Sequence, residues 1–171
     1  IFPYPRLETL TRRLSTTLDA ISTRLHVLHL SSLDDLVKLV RELELKRLDC
    51  DLIIFDTFTA PYRSLRVENK REVLVYNKKL NQVAAILKSC LIEGKKRAVL
   101  TSRLKSPIIG DEIADELVAS SILTYWSDNI ISIRKTDFPY ERRVILLKAH
   151  GRELKIEVKA HIVDGLLEEV D

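Results

Sequence analysis

Two short apolar runs flank one long stretch of helical spacing, and this strand–helix–strand pattern constrains the chain most. Asp51 to Asp56 encloses Leu52, Ile53, Ile54 and Phe55, and Arg97 to Thr101 encloses Ala98, Val99 and Leu100. Between them, about Glu68 to Glu93, the residues Leu80, Val83, Ala84, Leu87 and Leu91 fall on one helical face, and Gly94 is the expected stop. Two apolar strands joined through a helix are expected to be buried and parallel.

The remaining patterns extend this unit on both sides. Leu7, Leu10, Leu14, Leu18 and Ile21 predict one amphipathic helix over 6–22, and His26 to Leu30 is a candidate strand. Ser31 with Asp34 fits a capping box ahead of a helix whose stripe is Leu33, Leu36, Val37, Val40 and Leu43. Thr59 to Arg66 is expected to be a loop broken by Pro61. Pro107 and Gly110 mark a second loop, and Asp111 to Ser121 is expected to be helical. The pattern then changes character. Ile130 to Lys135, Arg143 to Lys148 and Leu154 to Val163 read as three successive strands, the last with strict alternation. The expected architecture is one three-layer α/β domain over 1–171, its parallel sheet extended by a C-terminal antiparallel meander.

Composition narrows the function classes. With 46% hydrophobic and 31% charged residues, the chain is globular in character rather than disordered or low in complexity. No apolar run approaches a membrane span, and no basic segment leads into an apolar stretch at the start. Cys50 and Cys90 lack CxxC spacing, so neither a disulfide framework nor zinc is implied, and a reduced cytoplasm is the expected location. A net charge of +3 does not by itself mark a nucleic-acid binder. It is unevenly spread, since residues 129–163 hold eight Lys or Arg against four Asp or Glu. One Gln, four Asn and no Met, among abundant Leu, Lys, Arg and Glu, resemble thermophile usage.

Asp56 is the first candidate for chemistry. Open parallel sheets bind ligands beyond the carboxyl ends of their strands, and a carboxylate there suits a hard cation on a nucleotide. The same pattern also fits a strand that ends in an ordinary capping Asp. A phosphate-binding loop is missing: Gly94-Lys95-Lys96 has Ser89 where the first Gly belongs, and it lies between helix and strand.

The wider order of motifs adds to that reading. Asp51-Leu-Ile-Ile-Phe-Asp-Thr-Phe-Thr-Ala-Pro-Tyr-Arg-Ser64 resembles the second nucleotide-binding strand of the RecA/RadA recombinase family and the segment after it. Lys79-Leu80-Asn81-Gln82 is similar to the family's Lys-Leu-Asn stretch, and Ala98 to Leu104 to its Val-Val-Thr-Asn-Gln-Val strand. Tyr125-Trp126-Ser127 resembles the His-Trp-Ser segment of the archaeal RadB-like branch, and Arg142 to Val163 follows the family's terminal meander. Ile1 to Leu7 looks like the segment after the family's Asp-Thr-Glu strand end. The resemblance therefore places Ile1 downstream of the phosphate loop, the first core strand and the catalytic Glu. An N-terminally incomplete core is then expected, with an open apolar groove beside the Asp56 strand.

The resemblance implies an ATP-binding recombinase paralogue, an accessory protein of homologous recombination and DNA repair. Asp56 and Thr57 would serve the nucleotide, with Asp56 holding Mg²⁺ through water. Ser102 and Arg103 stand where the family has a polar pair that senses the γ-phosphate. Arg cannot accept a hydrogen bond as Gln can, so weak or DNA-uncoupled hydrolysis is expected, at most that of a feeble ATPase. Arg63 and Arg66 occupy the place of the first DNA-binding loop. Residues 105–122 occupy that of the second, yet Asp111, Glu112, Asp115 and Glu116 there oppose phosphate binding. Lys148 and Arg152 alternate with His150 and suit contacts across a subunit boundary to a neighbour's phosphate. The expected partners are single-stranded DNA, the main recombinase or other paralogues, and further copies of the chain. A KaiC-like signalling ATPase and a degenerate interaction module without ATP binding remain open alternatives.

Overall fold

The strand–helix–strand pattern folds as its spacing predicts. In the computed structural model, which describes residues 4–44, 50–60, 70–102 and 121–169, β1 (Leu52–Phe55) and β2 (Arg97–Leu100) pair in parallel, with Leu52 opposite Arg97 and Phe55 opposite Leu100. The helix between them, α4 (Lys70–Glu93), packs against α3 (Leu33–Glu44). Leu33, Leu36, Val40 and Leu43 of α3 meet Leu80, Val83, Ala84 and Leu87 of α4 in one buried cluster with Phe55 and Phe58. These are the stripes expected from helical spacing, because only one face of each helix can leave water. Each fully buried large apolar side chain contributes on the order of 1.5–3 kcal/mol.

Chain contacts divide the molecule into two compact units, Leu30–Ser127 and a second one that joins Ile1–His29 to Asp128–Asp171. The first holds α3, β1, α4 and β2. Its two-stranded sheet is covered on the side of Phe55 and Ile53, which join the helical core. On the opposite side Leu52, Ile54 and Val99 are exposed, Ile54 to 61%.

The second unit is the meander. β3 (Ile130–Lys135), β4 (Glu141–Ala149), β5 (Arg152–Val163) and β6 (Leu166–Glu169) form an antiparallel sheet in that order. It is a separate ladder from β1–β2 among the described residues. Three of its strands fall where alternation predicts them, and β6 is an addition. The Asp164–Gly165 turn carried its signal, since both residues have positive φ (48° and 82°) as a two-residue hairpin turn demands. Helix α1 (Tyr4–Arg13) is tied to that turn by Arg6, which donates to the Gly165 carbonyl at 3.0 Å, and by Arg13, which bonds the Val163 carbonyl and Glu168.

Three local expectations are corrected, and the expected stop at Gly94 holds. The single helix over 6–22 is two, α1 and α2 (Leu18–Ser22), because Ser15 takes a left-handed conformation and Thr17 caps the second by accepting from the Ala20 N–H. His26 to Leu30 forms no strand, since an apolar run becomes one only where a partner ladder is within reach. The capping box sits one residue later than expected, on Ser32 and Asp35. The Ser32 hydroxyl accepts from the Asp35 N–H at 3.1 Å, and the Asp35 carboxylate accepts from the Ser32 N–H at 3.0 Å. As expected, α4 stops ahead of Gly94, and it does so in a Schellman motif: Lys96 N–H bonds the Leu91 carbonyl and Lys95 N–H the Ile92 carbonyl. The left-handed residue there is Lys95 (φ 52°), not Gly94. The expected helix over 111–121 lies almost wholly outside the described residues. Segment 121–126 is helical, and its Trp126 indole donates to Asn81 at 2.8 Å.

Candidate functional site

Parallel pairing brings the ends of β1 and β2 side by side and sets Asp56 and Thr101 next to each other. Thr101 N–H donates to the Phe55 carbonyl at 3.0 Å, and Phe58 N–H returns to the Thr101 carbonyl at 3.0 Å. The two apolar neighbours of this turn are anchored. Phe55 and Phe58 are both buried, with rings edge-to-face at 5.4 Å. Asp56 and Thr57 thus sit on a turn fixed at both ends, joined by a cis peptide bond, and the Asp56 carboxylate stays exposed.

Around it lie hydroxyl groups. Thr101 Oγ1 donates to Asp56 Oδ1 at 2.6 Å, and the buried Thr59 hydroxyl lies 3.4 Å from that of Ser102. The edge therefore offers one carboxylate and the hydroxyls of Thr59, Thr101 and Ser102, all of them oxygen donors. This donor set fits Mg²⁺, a hard cation that keeps most of its waters and takes one or two carboxylates. It does not resemble the nitrogen and sulfur set of a zinc site. Among the described residues, no group of three or more His, Cys, Asp or Glu could hold a metal ion by itself.

The structure thus brings Asp56, Thr57 and Ser102 to one sheet edge. Thr59 and Thr101 join them, and sequence reasoning had assigned them nothing. Their signal was position alone, a hydroxyl directly after one strand and another three residues past Asp56. Arg63, Arg66 and Arg103 lie outside the described residues, as does the acidic 111–116 segment. Lys148 and Arg152 are not neighbours along one strand. A two-residue turn at His150 and Gly151, both with positive φ, separates them. Lys148 lies opposite Glu153 and Ala149 opposite Arg152, so Lys148 and Arg152 occupy opposite faces of the ladder. The shared face expected from alternation is lost to that turn.

The Lys79-Leu80-Asn81 stretch is structural in this fold. Leu80 is fully buried, Lys79 pairs with Asp34 at 2.5 Å, and Asn81 receives the Trp126 indole. Cys50 and Cys90 are free thiols, and burial together with Glu44 and Glu93 pushes the Cys90 thiol up. No described helix is long and apolar enough to cross a membrane.

No family model matches the chain. The chain is 28% identical over 159 residues to the DNA repair and recombination protein RadB of Methanosphaera stadtmanae, a match that covers 89% of this chain and 67% of that protein. It also superposes on the crystal structure of the RadB recombinase with a TM-score of 0.71, covering 99% of this chain and 74% of that one at 16% identity. The motif order, the sequence relationship and the shared fold agree: the chain is similar in sequence to a RadB protein and shares the RecA-like fold of the RadB recombinase.

Proposed function

We propose that this protein is an ATP-binding accessory factor of homologous recombination and DNA repair, with weak hydrolysis that DNA barely stimulates. The observation that carries the reading is the exposed Asp56 carboxylate, held by Thr101 at the carboxyl edge of two adjacent parallel strands. The similarity to a DNA repair and recombination protein supplies the process.

In this reading the 171 residues furnish the metal side of a nucleotide site. Asp56 accepts hydrogen bonds from the waters of Mg²⁺, Thr101 fixes the orientation of that carboxylate, and Thr57, Thr59 and Ser102 supply further polar contacts. Bound Mg²⁺ neutralises charge on the nucleotide phosphates. The phosphate-binding loop is contributed from outside these residues, none of which has its pattern. Arg103 stands at the sensor position, where it has no acceptor to relay the presence of the γ-phosphate. The acidic 111–116 segment, in the place of the loop to which that relay would signal, repels DNA phosphates.

The test is ATP turnover by the natural full-length protein with and without single-stranded DNA. Slow turnover changed less than about twofold by DNA supports the reading. Stimulation of about tenfold, equivalent to about 1.4 kcal/mol of barrier, overturns it in favour of an active recombinase. Failure to bind ATP at all favours a degenerate interaction module.

A further inference from the structure

At the start of β4 a carboxylate is withdrawn from water without the partners that such burial calls for. The Glu141 side chain is only 11% exposed, and its one ion pair among the described residues is Lys159, whose Nζ lies 3.4 Å from Oε2. Lys159 is itself 63% exposed, which makes it a loose and solvated partner. Oε1 accepts no hydrogen bond among the described residues. Buried acceptors are normally satisfied, because an unmade hydrogen bond there costs free energy. The Glu141 backbone, by contrast, is fully used. Its N–H bonds the Phe138 carbonyl at 3.2 Å, and its carbonyl accepts from the Thr136 hydroxyl at 3.4 Å and the Arg142 guanidinium at 2.7 Å.

The surroundings of that carboxylate are the second observation. With Phe138, Pro139, Tyr140 and His161, Glu141 lines an open depression of about 490 Å³. Phe138 is 65% exposed and Tyr140 73%, so neither ring is spent on the core. The turn that carries them is ordered: the Thr136 hydroxyl accepts from the Phe138 N–H at 3.2 Å, and Ile162 N–H bonds the Tyr140 carbonyl at 2.8 Å. Little conformational freedom therefore remains to be lost on binding. Glu141 lies opposite His161 and Arg142 opposite Ala160, so the Arg142 side chain leaves from the other face of the ladder and does not fill the depression. Asp137 adds a second negative charge to the turn.

We infer that this depression receives the guanidinium of an arginine presented by a partner protein. The planar cation stacks on Phe138 and Tyr140 and donates to Oε1 of Glu141, while Lys159 keeps Oε2. Guanidinium is the side-chain group that meets both demands, since it is weakly hydrated, lies flat on aromatic faces and donates in a fork that suits a carboxylate. A nucleic-acid strand would bring its phosphates against Glu141 and Asp137. An aliphatic side chain would cover the rings and leave Oε1 unsatisfied. The site uses none of the residues assigned to ATP, so it does not depend on that reading.

The experiment follows the ring proton resonances of Phe138 and Tyr140 by NMR in the full chain at low salt, at about pH 8, above the ordinary titration of histidine. The probe is a blocked glycine pentapeptide with one central arginine, compared with the same peptide carrying citrulline, the uncharged isostere. The arginine peptide is expected to bind with a Kd of about 1 mM and to shift both rings. The citrulline peptide is expected to bind at least about tenfold more weakly, as the arginine peptide is to Glu141→Gln. Tyr140→Ala is expected to cost about fivefold or more. Lys159→Gln removes the competing cation and is expected to raise affinity about twofold or more. Arginine and citrulline affinities within about twofold of each other overturn the inference, as does an unchanged or lower affinity in Lys159→Gln. Rings that respond to an oligothymidylate and not to the arginine peptide overturn it as well. If the melting temperature shows that Glu141→Gln unfolds, Lys159→Gln at its exposed position and the citrulline comparison decide.

Discussion

Thr101 donates a 2.6 Å hydrogen bond to the Asp56 carboxylate across the ends of two parallel strands. This bond leaves one Asp56 oxygen to other ligands and sets the direction in which it points. A partner that orients a metal-side carboxylate typically changes metal affinity by about tenfold or more. Thr101→Val is therefore expected to weaken Mg²⁺-dependent ATP binding by about tenfold with little change in stability, as Thr101 is exposed. Asp56→Ala is expected to abolish the Mg²⁺ dependence. Titration calorimetry with and without Mg²⁺ reads both, and a Thr101→Val protein that binds like the parent would remove Thr101 from the site.

Phe58 anchors the turn that carries Asp56. It is 1% exposed and stacks edge-to-face on Phe55. Phe58→Ala leaves a cavity against α3 and α4 and is expected to cost about 3–5 kcal/mol. Urea denaturation measures it. A loss below about 1 kcal/mol would show that the turn is held by its backbone bonds alone.

Lys95 holds a left-handed conformation at the end of α4, where glycine normally stands. The neighbouring Gly94 does not relieve it. There a Cβ would come within 3.0 Å of the Cys90 carbonyl oxygen. Lys95→Gly is expected to stabilise the protein by about 0.5–1 kcal/mol, since removing the side chain relieves the backbone penalty and loses only a weak favourable charge at the helix C-terminus. Gly94→Ala is expected to destabilise. Melting temperatures of the two variants should move in opposite directions.

The Asp35 cap gives the helix α3 a pH dependence. The Ser32 hydroxyl, with the Ser31 and Ser32 N–H groups, holds the Asp35 carboxyl below its ordinary value of 3.8. Because the folded value is depressed, the cap's stabilisation is fully present above the unfolded value. It is lost as pH falls through the lower, folded one. Acid titration followed by circular dichroism is expected to show a steeper loss of stability below pH 3.8 in the parent than in Asp35→Asn. Equal slopes would mean that the carboxylate is not the group responsible.

The apolar spacing of α3 and α4 and the alternation in β3 to β5 were enough to place those elements and name most of their buried faces. Burial stripes follow directly from the 3.6-residue and two-residue periods, so they are written in the sequence itself. The order of the motifs likewise carried the resemblance to RadB proteins, because it depends on local residues rather than on contacts. Pairing is different. Nothing local in His26 to Leu30 distinguishes a strand from an unpaired run, and nothing in Lys148-Ala-His-Gly-Arg152 except its glycine announces that the alternation turns back on itself. The Asp56–Thr101 contact joins residues 45 positions apart. It exists because a crossover helix returns β2 to the edge of β1 in a particular register. Local periods determined which faces are apolar, whereas the tertiary structure decided which strand ends meet, because register is fixed by packing between elements distant along the chain.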